Sequence, residues 1–239
     1  MSILPPAGRC VAALFTCQQQ GLESRLIATR VSPMPTTVSE CATVHRELWT
    51  ADDFLQWLEP GRHADLIDGE KFMHSAVNLR HADLLNFLDH LLRSYVEQRR
   101  LGKVYREVVA VRLGSRNVFL PDLAFVSAAR VPGLQPTHIP FAPDLIVEAL
   151  SPRTADRDVG PKFAAYEEHG GNEYWVLDPE TLAHRFYRRE GELLEEFATG
   201  EDVILSRAIV SFWVRREWLN PAALPEVTGA LAEVISPGS

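Results

Sequence analysis

Apolar positions in this chain repeat with two periods, and the switches between them mark out helices and strands in alternation. Thr50 followed by Asp53 forms a capping-box-like start, with Asp in place of Glu or Gln, and Phe54, Leu55, Trp57 and Leu58 give a short helix an apolar face as far as Pro60. Asp65-Leu66-Ile67 and Lys71-Phe72-Met73 flank Asp68-Gly69, a dipeptide that tolerates positive φ and predicts a tight hairpin. From Ser75 to Gly102, the positions Val77, His81, Leu84, Leu85, Leu88, Leu91, Leu92 and Tyr95 recur at helical steps and predict one long amphipathic helix. Strands are expected over 104–113, over 118–126 after the turn 114–117, and over 145–150, the last almost wholly apolar and therefore central. Pro161 opens a helix that runs to His169 and is closed by Gly170-Gly171. A strand from Glu173 to Leu177 follows, and then a hairpin of 183–188 and 193–197 around Glu190-Gly191.

The ends carry less pattern. Residues 1–45, with Pro5, Pro6, Pro33 and Pro35, show no sustained period and read as a poorly ordered tail, with Met34 a candidate start. Residues 46–219 form the patterned domain, and 220–239 read as a loosely attached tail. No internal repeat is present. Together these elements predict an α/β fold: a mixed central sheet of about five or six strands flanked by helices, with peripheral β-hairpins.

Composition narrows the function classes. With 46% hydrophobic and 23% charged residues in 239, the chain can bury a sizeable core, and no apolar run approaches a bilayer span. The apolar patch Val11 to Phe15, preceded only by Arg9, is thin for a signal peptide. Cys10, Cys17 and Cys41 precede the first patterned element and match no zinc spacing, as expected of incidental thiols in a cytoplasmic protein. A formal net charge of -8 argues against a protein that coats nucleic acid through a broad basic face. It leaves room for a local patch, for which Arg93, Arg99, Arg100, Lys103 and Arg106 are candidates; the alternative is a solvated helix end complementing the dipole.

Glu148 is the anomaly in the pattern, because it interrupts an otherwise buried strand, Asp144 to Leu150. A buried carboxylate must be paired, neutralised or bound to a cation; a strand-end Glu facing solvent or an Arg is the bland alternative. Asp122 follows Pro121, whose missing N–H frees the strand locally and can aim a carboxylate into a cleft, although Pro-Asp is also a common turn dipeptide. Lys162 lies on the first turn of the following helix, where a lysine is usually solvated. Taken together, an Asp and a Glu on adjacent strands plus a nearby ammonium suit phosphodiester hydrolysis, with hard oxygens for Mg²⁺ and a cation for developing charge.

The ordered set Asp65-Leu-Ile-Asp-Gly69, His81, Pro121-Asp122, Val147-Glu-Ala-Leu-Ser-Pro152, Lys162-Phe-Ala-Ala-Tyr166 and Glu173-Tyr-Trp175 resembles the Uma-two family of restriction endonucleases, within the PD-(D/E)XK superfamily. The likeness spans roughly residues 48 to 215 and is most specific from Pro121 to Pro179. It implies a restriction-endonuclease-like core, a DNA substrate, and Mg²⁺ (or Mn²⁺) held by Asp122 and Glu148. The superfamily lysine two residues after the Glu is Leu150 here, so Lys162 would be that lysine displaced onto the neighbouring helix. Asp65 stands where the family usually has Glu, and Gly171-Asn172 replaces the usual Gly-Val. Asp65 and His81 are expected to assist; His81 could equally be a core histidine satisfied by a hydrogen bond. Tyr166 and Trp175 are expected to pack, while His74, His90 and His138 show no metal spacing.

The resulting expectation is a Mg²⁺-dependent endodeoxyribonuclease, with Asp122 and Glu148 on the metal and Lys162 orienting water. Two rivals stand beside it: a non-catalytic nucleic-acid or partner-binding module on the same fold, and a hydrolase of another phosphoester. Symmetric cutting of duplex DNA would call for a homodimer, but no segment is an evident dimer seam.

Overall fold

The computed structural model describes residues 48–58, 61–106 and 109–236. The three cysteines, Met34 and the expected N-terminal tail lie outside the described residues.

Helix α1 (Ala51–Trp57) begins at Thr50, whose Oγ1 accepts the Asp53 N–H at 3.1 Å. Strands β1 (Ala64–Ile67) and β2 (Glu70–Met73) are joined by Asp68 at φ 50° and Gly69 at φ 87°, the positive pair that a tight hairpin demands. Helix α2 (Leu79–Arg99) starts later than its apolar period suggests, because the Asn78 side chain accepts the His81 N–H at 2.9 Å and caps it there. Val77 is consequently exposed on an extended approach.

Each of the two long strands expected over 104–113 and 118–126 is divided, and the halves join different sheets. They form β3 (Gly102–Arg106), β4 (Ala110–Leu113), β5 (Asn117–Phe119) and β6 (Leu123–Ser127). The second break has a local cause. Pro121 has no N–H to pair, and the N–H of Leu120 goes to Asp65 Oδ1 at 2.8 Å instead of to a ladder.

Then follow β7 (His138–Ile139), β8 (Leu145–Ala149), α3 (Ala155–Asp158), α4 (Pro161–Glu168) and β9 (Glu173–Leu177). The chain continues with β10 (Arg185–Glu190), β11 (Leu193–Phe197), β12 (Val203–Leu205), β13 (Trp213–Arg215) and α5 (Val227–Ile235). The central sheet has six strands in the order β11-β10-β9-β8-β6-β3, mixed because β8 and β9 run parallel while their neighbours are antiparallel. This bears out the expected α/β class. A second, five-stranded sheet, β2-β1-β5-β4-β7, absorbs the first hairpin, which is therefore not peripheral.

Both faces of the central sheet are covered, which explains why β8 and β9 are buried at every position. Val147, Trp175, Leu177 and Phe186 pack with Leu84, Leu88, Leu91 and Tyr95 of α2. Ile146, Tyr174 and Val176 turn the other way, toward α4 and the second sheet, where they meet Tyr166, Phe119 and Val111. Tyr166 and Trp175 are thus core residues, as expected. The C-terminal segment, expected as a loose tail, instead contains α5, whose Ala230 and Val234 are buried in the α2 core. Its apolar spacing, Val227, Ala230, Leu231, Val234 and Ile235, is that of a helix with one face to bury. Among the described residues no helix is long and apolar enough to cross a membrane.

Candidate active site

Glu148 lies on the face of β8 turned away from α2, and it is only 3% exposed. In the β6–β8 pairing Leu123 faces Val147, so one further step of that antiparallel register sets Asp122 opposite Glu148 on the same side. Pro121 thus delivers Asp122 just where the strand breaks. Both carboxylates line a cleft of about 380 Å³ that also takes in His63, His74, His81, Asp158 and Lys162.

Lys162 is buried at the start of α4, with Nζ 3.0 Å from Asp65 Oδ2, 3.1 Å from Asp158 Oδ1 and 3.2 Å from Glu148 Oε1. The local chain geometry forces this meeting. Gly160 sits between α3 and α4, and a Cβ there would come within 2.6 Å of the Asp156 carbonyl oxygen, so the tight turn excludes a side chain. It brings Asp158 and Lys162, four residues apart, onto one side. Tyr174 then donates its hydroxyl to the Asp158 backbone carbonyl at 2.8 Å and fixes the turn against β9.

Charge in this cluster is unbalanced: Asp65, Glu148 and Asp158 surround a single ammonium, and Asp122 adds a further negative charge beside Glu148. Burial pushes the Glu148 carboxyl well above the usual range; Lys162 opposes this, while Asp158, Asp122 and Asp65 add to it. Asp158 is raised mainly by burial, which its contact with Lys162 only partly offsets. Asp65 differs. Burial would raise it, but Lys162, His74 and the Leu120 N–H together bring it down to about 2. For Lys162, burial favours the neutral amine, yet the three carboxylates override it and hold the ammonium well above its ordinary value.

Asp122 Oδ2 accepts the Ala149 N–H at 2.7 Å, and His81 Nε2 donates to the Ala149 carbonyl at 2.9 Å. His81 also stands 3.6 Å from Asp122 Oδ2. The helix histidine therefore secures the end of β8 beside the acidic pair. Asp122 and Glu148 each use one oxygen in these contacts, and the second oxygen of each is the hard donor that a divalent cation prefers. Among the described residues no group of three or more His, Cys, Asp or Glu is arranged to enclose a metal. A cation on this pair would thus take water or substrate oxygens for most of its shell, as Mg²⁺ does.

The structure brings all five expected residues together, but it distributes them unevenly. Asp122, Glu148, Lys162 and His81 line the cleft, whereas Asp65 lies behind it and holds Lys162. Two further residues belong with them. Asp158 meets Lys162 across the turn between α3 and α4, so no single helical period signalled it. His74, with Nε2 2.9 Å from Asp65 Oδ2, was concealed by the absence of any metal spacing. Its signal was the strand period, which puts His63, Asp65, Phe72 and His74 on one face of the first hairpin.

The basic residues at the end of α2 do not line the cleft. Arg93 pairs with Asp89 at 2.8 Å and donates to the Val104 carbonyl, Arg99 lies over the Tyr95 ring, and Arg106 contacts Asn86. Arg93 and Arg106 thus join α2 to β3, while Arg99 also donates to the Ile235 carbonyl of α5.

Comparison with known proteins agrees with this architecture. Residues 51–221 match the family Uma2, described as putative restriction endonuclease. The chain is also similar to the crystal structure of a putative nuclease belonging to DUF820 from Anabaena variabilis ATCC 29413. That match has 19% identity and a TM-score of 0.56, and covers 78% of this chain and 99% of the other. At that identity the likeness speaks for the fold. No curated protein matches.

Proposed function

Since this chain belongs to the Uma2 family of putative restriction endonucleases, we propose that its cleft hydrolyses DNA phosphodiester bonds with Mg²⁺ or Mn²⁺ held between Asp122 and Glu148. The observation that carries this reading is the convergence of two carboxylates from adjacent antiparallel strands with a buried ammonium on one of them. When bound, the metal would polarise the phosphate and acidify a water. The protein's own residues do the remainder.

Asp122 and Glu148 both line the cleft, one oxygen of each held by the Ala149 N–H and by Lys162 respectively, which leaves the other for a cation. Lys162 keeps the Glu148 and Asp158 carboxylates oriented and offsets their repulsion, so the acidic floor is preformed. Asp65 anchors Lys162 from behind, and His81 locks the carbonyl that follows Glu148. These are positioning roles. Each reduces the rearrangement needed when substrate arrives.

The test incubates plasmid and single-stranded DNA with the purified chain and Mg²⁺ or Mn²⁺, beside Glu148→Gln and Asp122→Asn. Cleavage by the wild type alone is expected, together with its loss on chelation. Equal cleavage by all three proteins would point to a contaminant, and none by the wild type would leave the fold as a binding module.

A further inference from the structure

Lys162 donates a hydrogen bond to Glu148 Oε1 at 3.2 Å and lies within 3.1 Å of Asp65 Oδ2 and Asp158 Oδ1, with its side chain only 3% exposed. Buried among three carboxylates, it offers almost no surface to a substrate. Yet a phosphodiester entering this cleft is an anion that must settle beside Asp122, Glu148 and Asp158. It therefore needs a hydrogen-bond donor from another wall.

Of the residues lining the cleft, apart from Lys162, only His63, His74 and His81 carry a donor that can also bear charge. His81 is buried and its Nε2 is committed to the Ala149 carbonyl. The His63 backbone carbonyl accepts the His74 N–H at 2.8 Å, which continues the β1–β2 register, but among the described residues no carboxylate is paired with its ring. His74 alone combines access with orientation. Its side chain keeps 23% of its surface exposed, while Nε2 is 2.9 Å from Asp65 Oδ2. Asp65 is itself fixed by the Leu120 N–H and by Lys162. An imidazole held with one nitrogen against a fixed carboxylate keeps its other nitrogen for a second partner.

We infer that His74, oriented by Asp65, is the catalytic residue that donates a hydrogen bond to the scissile phosphodiester, while Lys162 serves the carboxylates. The assignment rests on the nuclease reading and divides the donor work between two residues. One faces inward and one faces the substrate.

The experiment compares plasmid nicking by the full-length wild type, His74→Ala and His74→Gln over a range of DNA concentrations, each with and without added imidazole and with its melting curve. Loss of one charge-assisted hydrogen bond to substrate should lower kcat/KM by about 10- to 100-fold in His74→Ala. The cleft mouth is open, so imidazole should restore part of the rate in His74→Ala and none in the wild type. His74→Gln, which keeps a donor, should fall between the two. If His74→Ala does not fold, an intermediate rate for His74→Gln at unchanged melting temperature carries the assignment, and a wild-type rate removes it. An active wild type beside an equally active His74→Ala overturns the role of His74 and leaves the nuclease reading standing. A loss that imidazole does not relieve marks a structural histidine and also overturns it. An inactive wild type removes both.

Discussion

Asp122 holds the backbone N–H of Ala149 at 2.7 Å, which joins the chain emerging from the Pro121 break to the residue that follows Glu148. This single contact ends one strand pair and sets the spacing of the two acids. It also separates two roles of Asp122 that substitution can resolve.

Asp122→Asn retains an acceptor for the Ala149 N–H but removes the charge that a divalent cation needs. The expected variant melts near the wild type and is not stabilised by Mg²⁺, whereas the wild type is. Asp122→Ala should cost about 1 to 3 kcal/mol, because it leaves the Ala149 N–H unpaired. Thermal melts with and without Mg²⁺ and Mn²⁺ check both points. Equal Mg²⁺ stabilisation of wild type and Asp122→Asn would place the cation elsewhere.

Lys162 offers a sharper test, since it alone separates Asp65, Glu148 and Asp158. Lys162→Met takes the shared cation from three buried carboxylates, leaves Glu148 and Asp158 without that counter-charge, and should destabilise the chain by about 3 to 5 kcal/mol near pH 7. Without the ammonium, these groups bind protons more tightly folded than unfolded. Stability is then lost as pH rises from the unfolded carboxylate range through the raised folded values, and it should return in part as pH is lowered to 5. Urea midpoints at pH 7 and pH 5 measure this. A midpoint at pH 7 equal to that of the wild type would contradict the ion-pair geometry.

How far the sequence revealed all this depended on whether the signal was local. Helix α4 was legible from Pro161 and Gly170, and the two hairpins from Asp68-Gly69 and Glu190-Gly191, since caps and turns act within a few residues. The splitting of 104–113 and 118–126 between two sheets was not, because an apolar run reads alike whichever sheet each half joins. Only Pro121 hinted at it. Glu148 stood out physically as a charge in a buried strand, but Asp122 and Lys162 gained weight only from the resemblance. Asp158 was hidden by Gly160-Pro161, which interrupts the helical period between it and Lys162. His74 was hidden because its partner, Asp65, lies across a strand pair and not along a helix.

Asp65 gives the acid limb of the stability curve its shape. Its carboxyl titrates at about 2 in the folded chain against 3.8 unfolded, so it contributes stability above pH 4 that disappears as pH falls to 2. The amount is about 2 to 3 kcal/mol. Glu148 and Asp158 act with the opposite sign, because their raised folded values cost stability as pH climbs above the ordinary carboxylate range. Asp65→Asn should therefore be less stable than the wild type at pH 5 and converge with it near pH 2. Denaturation followed by circular dichroism across that range provides the check, and a constant gap between the two proteins would rule out this linkage.

The last prediction concerns α5, which contributes no residue to the cleft and is therefore independent of any catalytic reading. Val234 is 3% exposed and Ala230 2%, both within the cluster that α2 builds with the central sheet. Val234→Asp would place a carboxylate with no partner in that cluster and should cost about 3 to 5 kcal/mol. Glu233, next in the chain, pairs with Arg215 at 2.8 Å on the surface, and Glu233→Ala should leave the melting temperature unchanged within error. A chain ending at residue 225 removes the helix entirely and uncovers the α2 face it packs on, so its transition should fall and broaden. Were that shortened chain to unfold as cooperatively and at the same midpoint as the full one, α5 would be a passenger on the core, and the burial of Ala230 and Val234 would carry no stability.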